Sequence, residues 1–140
     1  MLPQIKNLDK IRKIINKKNF DYFVQKPLTN LTIDFLDDFS KELKKQKNIY
    51  KYSDLTYLMF WTRKSKIENL KKKNDENILR IGRGIIFHIC PSNVPTNFIY
   101  SYFFGLMSGN SNIIKMTSTK SIEKDIILTC IRNLFKKKNI

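Results

Sequence analysis

GRGIIFHICPSNVPTNFIYSYFFGLMSGNSNIIKMTS, residues 82–118, is the stretch that decides the reading of this chain. Ile85–Ile89 is a continuous apolar, β-branched run of the kind that buried parallel strands show. It breaks at the turn Pro91-Ser92-Asn93-Val94-Pro95. The next segment places Ile99, Tyr102, Phe103, Leu106 and Met107 on one helical face, with Ser101 and Gly105 leaving room for a close neighbour on the other side. Gly109-Asn110 is a helix stop, and Ile113-Ile114 leads to Lys115 as a second short strand. The order strand, polar turn, helix, strand predicts one βαβ unit. Its polar residues gather at the strand ends, where ligands of open α/β sheets bind.

Working outward, a last helix is expected after Ser121, with Ile122, Ile126, Ile127, Cys130, Ile131 and Leu134 as its stripe. Upstream, Ile78-Leu79-Arg80-Ile81 reads as a short strand, and Arg83 between two glycines as a strand-entry residue, with approach to a phosphate as the alternative. KKKNDEN, residues 71–77, has no apolar period and reads as a linker. Before it, helical stripes recur: Ile5, Leu8, Ile11 and Ile15; then, past Pro27, Leu31, Phe35, Leu36, Phe39 and Leu43. A third helix, N-capped by Ser53, carries Leu55, Leu58 and Met59 and continues to Ile67 and Leu70. Trp61 falls in this helix as a core or interface residue. The expected fold class is α/β, with N-terminal helices over 1–77 and a partial α/β domain over 78–140. Two or three parallel strands leave a sheet edge unpaired and one face thinly covered. The chain therefore reads as the front part of a larger α/β enzyme.

The net charge of +15 invites a nucleic-acid reading, but lysine rather than arginine dominates, and asparagine and isoleucine are abundant with it. That pattern fits AT-rich codon usage better than phosphate recognition through arginine forks. A basic module for nucleic acid or an anionic membrane stays open as the alternative, as does a short subunit completed by a separate partner chain. Cys90 and Cys130 form no CxxC pair, and no metal site is indicated. His88 is the single histidine and reads as structural. The N-terminus lacks a signal-peptide core. The apolar stretch 84–107 is interrupted by Pro91, Asn93, Pro95 and Asn97, which argues against a membrane span. A cytoplasmic location is expected.

Two prolines flanking Asn93 stiffen its turn. A preorganised side-chain amide is what a developing oxyanion needs, although an asparagine here also fits a helix cap or an Asx-turn. The whole string over 82–119, with HICPSNVP and the Gly-Asn…Ile-Ile-Lys element, closely resembles the acyl-CoA reductase family of the bioluminescence (LuxC) type, within the aldehyde dehydrogenase superfamily. A softer likeness reaches FWTRKSKIENL at 60–70.

The resemblance implies an aldehyde-dehydrogenase-like dinucleotide-binding domain, incomplete in this chain, and reduction of a fatty acyl-CoA to an aldehyde through an enzyme cysteine thioester. It aligns Asn93 with the oxyanion-hole asparagine. It aligns Cys90 and Ser92 with positions lining the nicotinamide end of the cofactor site, and Lys115 with the lysine that hydrogen-bonds the adenosine ribose. Ser118 falls where NAD-preferring relatives often carry glutamate, which permits NADPH and leaves NADH admissible. The family nucleophile lies downstream of this motif, so the isolated chain is expected to be inactive. Cys90 and Cys130 are expected to be core thiols. An acyl-transfer or synthetase partner, or a homo-oligomer, is implied for the full enzyme.

Overall fold

The computed structural model describes residues 24–73, 78–91 and 93–138. The stripe around Ile5–Ile15 and position Ser92 lie outside these residues, as does the end of the expected linker.

Helix α1 (Asn30–Lys44) is the central pillar. Thr29 caps it by accepting the Thr32 N–H at 3.3 Å, and Lys41 and Lys44 complement its C-terminal dipole. Ile33, Phe35, Leu36, Phe39 and Leu43 are buried along one face, each worth about 1.5–3 kcal/mol relative to exposure. Leu31, expected in that stripe, is instead 63% exposed. It sits in the first turn, ahead of the packed face.

After a 3₁₀ turn at Ile49–Lys51, the expected third helix proves to be two, α2 (Ser53–Trp61) and α3 (Lys64–Lys72). Thr62 explains the break. It is fully buried, and its hydroxyl donates back to the Leu58 carbonyl at 2.9 Å. Asp37 of α1 then accepts the Lys64 N–H at 2.9 Å, so the new helix start is satisfied by a neighbouring helix. Ser53 is the first helical residue rather than a capping one, since Tyr52 holds the cap position. Leu70 ends up 43% exposed, and α3 runs on into the expected linker as far as Lys72.

The βαβ unit forms as expected. Strand β1 (Ile85–Ile89) leads into α4 (Asn97–Met107) and then β2 (Ser111–Lys115), and the strands pair in parallel with Ile85 opposite Ser111 and Ile89 opposite Lys115. Helix α5 (Ile122–Lys138) follows; Ser121 accepts the Lys124 N–H at its start and donates to the Glu123 carboxylate. Ile78–Ile81 is not a strand. Gly82 N–H is drawn instead to the Gln25 carbonyl at 3.0 Å, and Leu79 is left 83% exposed.

Gln25 joins two glycines by backbone alone: its own N–H donates to the Gly109 carbonyl at 2.9 Å. A Cβ at Gly109 would lie 2.1 Å from the Gln25 oxygen, and φ there is +80°, so only glycine closes this junction without strain.

One continuous core joins the helical region to the βαβ unit. Phe39 of α1 meets Phe103 of α4 edge-on at 4.9 Å, and Phe35 stacks on Phe135 of α5 at 6.1 Å. On the sheet, Ile86 and His88 of β1 share the face covered by α4 with Asn112 and Ile114 of β2. The opposite face is open, with Phe87 42% and Ile89 71% exposed. The apolar run at 85–89 thus forms a strand covered on one side only among the described residues.

Glu42 fastens α5 to α1. It is buried, pairs with Lys45 at 2.8 Å, and also binds Lys137 of α5. The Lys137 hydrogen bond, then that of Lys45, holds its carboxyl below the ordinary value despite burial. A lowered folded-state value means the pair stabilises the chain above the ordinary carboxylate range. That stability is lost as pH falls through the folded value. Glu42→Gln is expected to cost about 1 kcal/mol at neutral pH, since the lysines are half-exposed. Urea midpoints followed from neutral to acid pH should fall less steeply in the variant than in the parent, and parallel curves would contradict the assignment.

Candidate active site at the strand ends

Parallel pairing brings the carboxyl ends of β1 and β2 together. The ladder continues one step past β1, with Cys90 N–H donating to the Lys115 carbonyl at 3.2 Å. Cys90 and Lys115 are therefore backbone neighbours, but strand alternation turns Lys115 with Ile89 to the open face and Cys90 to the α4 face. Cys90 faces α4, where its thiol bonds the Ser101 hydroxyl; burial raises its pKa, outweighing that bond. It is a half-buried thiol and not a thiolate. Cys130 is fully buried and its thiol is pushed up to about 12 by burial, with the Glu42 charge adding to it.

Asn93 stands exposed in the turn between β1 and α4. Helix α4 takes Thr96 as its cap residue, with no side-chain capping bond. The capping use of Asn93 is thus not the one the fold makes. The turn closes instead through Asn97 N–H to the Val94 carbonyl at 3.1 Å.

Lys115 and Ser118 are both exposed at and just beyond the end of β2. The loop that carries Ser118 is held from α5: the Lys124 ammonium donates to the Thr117 carbonyl at 3.2 Å and to the Thr119 carbonyl. Thr117 Oγ1 also accepts the Thr119 N–H at 3.1 Å. Residues 77–122 contain no aspartate or glutamate. A ligand bearing phosphates and ribose hydroxyls would meet a lysine, a serine and backbone groups there, without a carboxylate from this segment. That donor set suits an anionic group.

Beneath these ends lies a polar contact that strand periodicity did not single out. Asn112 occupies the α4-facing side of β2, where an apolar residue is the default. Its Oδ1 lies 2.8 Å from His88 Nε2, and its Nδ2 donates to the Asn110 carbonyl at 2.8 Å. Because the amide NH₂ is committed to Asn110, His88 donates from Nε2. A Cβ on Gly105 would fall 1.7 Å from Asn112 Oδ1, so α4 approaches β2 through the missing side chain. His88 thus ties β1 to β2, a structural role of the kind the family resemblance suggested. An asparagine directly before the Ile113-Ile114 pair was the available signal. At the opposite end of the sheet, the Asn110 side chain accepts the N–H groups of Arg83 and Gly84 and fixes the entry to β1. Arg83 is there a strand-entry residue, with its side chain exposed.

Among the described residues, no three His, Cys, Asp or Glu side chains come together to hold a metal ion, and no helix is long and apolar enough to cross a membrane.

The parallel βαβ unit, with helices packed on one face of its two-stranded sheet, defines an α/β protein. The family model for acyl-CoA reductase (LuxC) matches residues 24–139, and the chain belongs to that family. No curated protein and no solved structure matches the chain.

Proposed function

We propose that this chain forms the front of an aldehyde-dehydrogenase-like dinucleotide-binding domain in a fatty acyl-CoA reductase that uses NADPH. The observation that carries the reading is the shared end of β1 and β2, where Asn93, Lys115 and Ser118 are all exposed beside a segment free of carboxylates. NADPH, when bound, would supply the hydride that takes an acyl thioester to the aldehyde. Lys115 would hold the adenosine ribose, and Ser118 would leave room for a 2′-phosphate without repelling it. Cys90 and Ser92 would line the nicotinamide end. Asn93 would donate its amide N–H to the oxyanion that forms on the thioester carbonyl, a contribution of about 3–4 kcal/mol for one well-placed donor.

The attacking thiolate has to be another cysteine. Burial raises the pKa of both Cys90 and Cys130, and at Cys130 it outweighs the opposing influence of Gln46 and the Lys45 charge. The nucleophile of the proposed reaction is then neither of these two cysteines.

Titrating the purified chain with NADPH, followed by nicotinamide fluorescence, tests the cofactor half of the reading. Binding is expected, and Lys115→Ala should weaken it about tenfold by removing a charged hydrogen bond. Absence of binding, or binding indifferent to Lys115, would sink this assignment. Incubation with a fatty acyl-CoA and NADPH should leave the cofactor unoxidised; turnover would show that the nucleophile lies within the chain after all.

A further inference from the structure

Exposed apolar side chains scattered singly need no explanation, but a contiguous set does. One such strip crosses the surface from α2 to the start of the sheet. Tyr57 and Trp61 stand four residues apart on α2 and so share one helix face. The Trp61 ring is 6.0 Å from that of Tyr100 and 5.5 Å from that of Phe104. Phe104 and Leu70 then line an open cleft of about 800 Å³ with Leu79 and Ile81. Exposure is high along the strip: 65% at Tyr57, 55% at Phe104, 83% at Leu79 and 65% at Ile81.

The flanks are basic. Arg80 and Arg83 line the same cleft. Helix α3 adds Lys66 and Lys72, both exposed, against a single acid, Glu68. The cleft opens at the amino end of β1, about 13 Å of strand away from the end that carries Lys115 and Asn93. The reductase reading uses none of these side chains.

We propose that this strip is a peripheral docking surface for an anionic lipid bilayer. Aromatic and leucine side chains enter the boundary between headgroups and acyl chains, and flanking cations meet the negative surface potential, at about 1 kcal/mol each. Single-stranded nucleic acid is a poorer match. It stacks on free aromatic faces, whereas Trp61 is engaged by two neighbouring rings, and Leu70, Leu79 and Ile81 have nothing to offer a base. The proposal stands apart from the reductase reading, because vesicle binding needs neither cofactor nor turnover.

Trp61 is the sole tryptophan, so its emission reports on the strip alone. Titration of the full chain with phosphatidylcholine vesicles containing phosphatidylglycerol should shift that emission to the blue and carry the chain into the vesicle pellet. Vesicles of phosphatidylcholine alone should do neither. The double variant Leu79→Ser/Phe104→Ser replaces two exposed side chains, so its circular dichroism should match the parent, while its vesicle affinity falls at least tenfold. Arg80→Gln/Arg83→Gln should weaken binding less, and mainly at low salt. Three results would overturn the proposal: no binding to anionic vesicles, salt-sensitive binding unchanged by Leu79→Ser/Phe104→Ser, or a Trp61 response to single-stranded DNA with none to vesicles.

Discussion

Phe39→Ala is expected to lower the unfolding free energy by about 3–5 kcal/mol, the upper part of the range for large-to-small core changes. Phe39 is fully buried and meets the equally buried Phe103 edge-on at 4.9 Å. The phenyl ring fills the space between α1 and α4, so its removal leaves a cavity where the helical region meets the βαβ unit. Around it, Leu36, Leu43 and Ile99 are themselves fully buried and have no solvent-facing slack to close the gap. Small domains are stable by only about 5–15 kcal/mol, so much of that margin would go. Urea denaturation followed by circular dichroism is the measurement. A loss under about 1 kcal/mol would mean that α1 and α4 do not share a packed core.

Asn110→Ala is expected to cost about 2–3 kcal/mol for a different reason, the stranding of backbone donors. The Asn110 side-chain oxygen accepts two consecutive N–H groups, from Arg83 at 2.5 Å and from Gly84 at 3.2 Å. Gly84 is buried, with φ of +122°, so its N–H has no ready access to water. Alanine would remove the acceptor and leave the entry to β1 unpinned. Asn110→Asp keeps an oxygen at the same place, losing only the amide's own bond to the Ser108 carbonyl. It should therefore recover most of the stability, and hydrogen exchange at Arg83 and Gly84 should accelerate in the alanine variant alone. Equal losses in both variants would show that the two backbone bonds are not what Asn110 contributes.

Legibility differed sharply between elements. The βαβ unit was readable because its local signals agreed: a β-branched run, a proline-flanked turn, a helical stripe and Gly109-Asn110 as its stop. The division between α2 and α3 was not, because its cause is remote. Thr62 bends the chain from inside the core, and Asp37, on another helix, satisfies the new start. Ile78–Ile81 carries the composition of a strand, yet its neighbour Gly82 bonds to Gln25 far back in sequence, and no second strand lies alongside among the described residues. Leu31 and Leu70 belong to their stripes by periodicity. They fall outside the core because they lie in the first and last turns, at the rims of open pockets rather than beneath a packed helix.

At the candidate site, residue identity and order came from the sequence: Asn93 between two prolines, and Lys115 and Ser118 after the second apolar run. By itself the sequence determined the βαβ order and the residue types at the strand ends, since strand, turn and helix signals are local and the family motif is contiguous. Only the tertiary structure decided that Cys90 and Lys115 are neighbours and that Thr96 rather than Asn93 caps α4. It alone showed that His88 ties its strand to Asn112, and that no described residue covers the far sheet face at Phe87 and Ile89. The physical reason is that these depend on strand register and helix approach. Both are set by contacts between residues distant in the chain, such as the space that Gly105 leaves for Asn112.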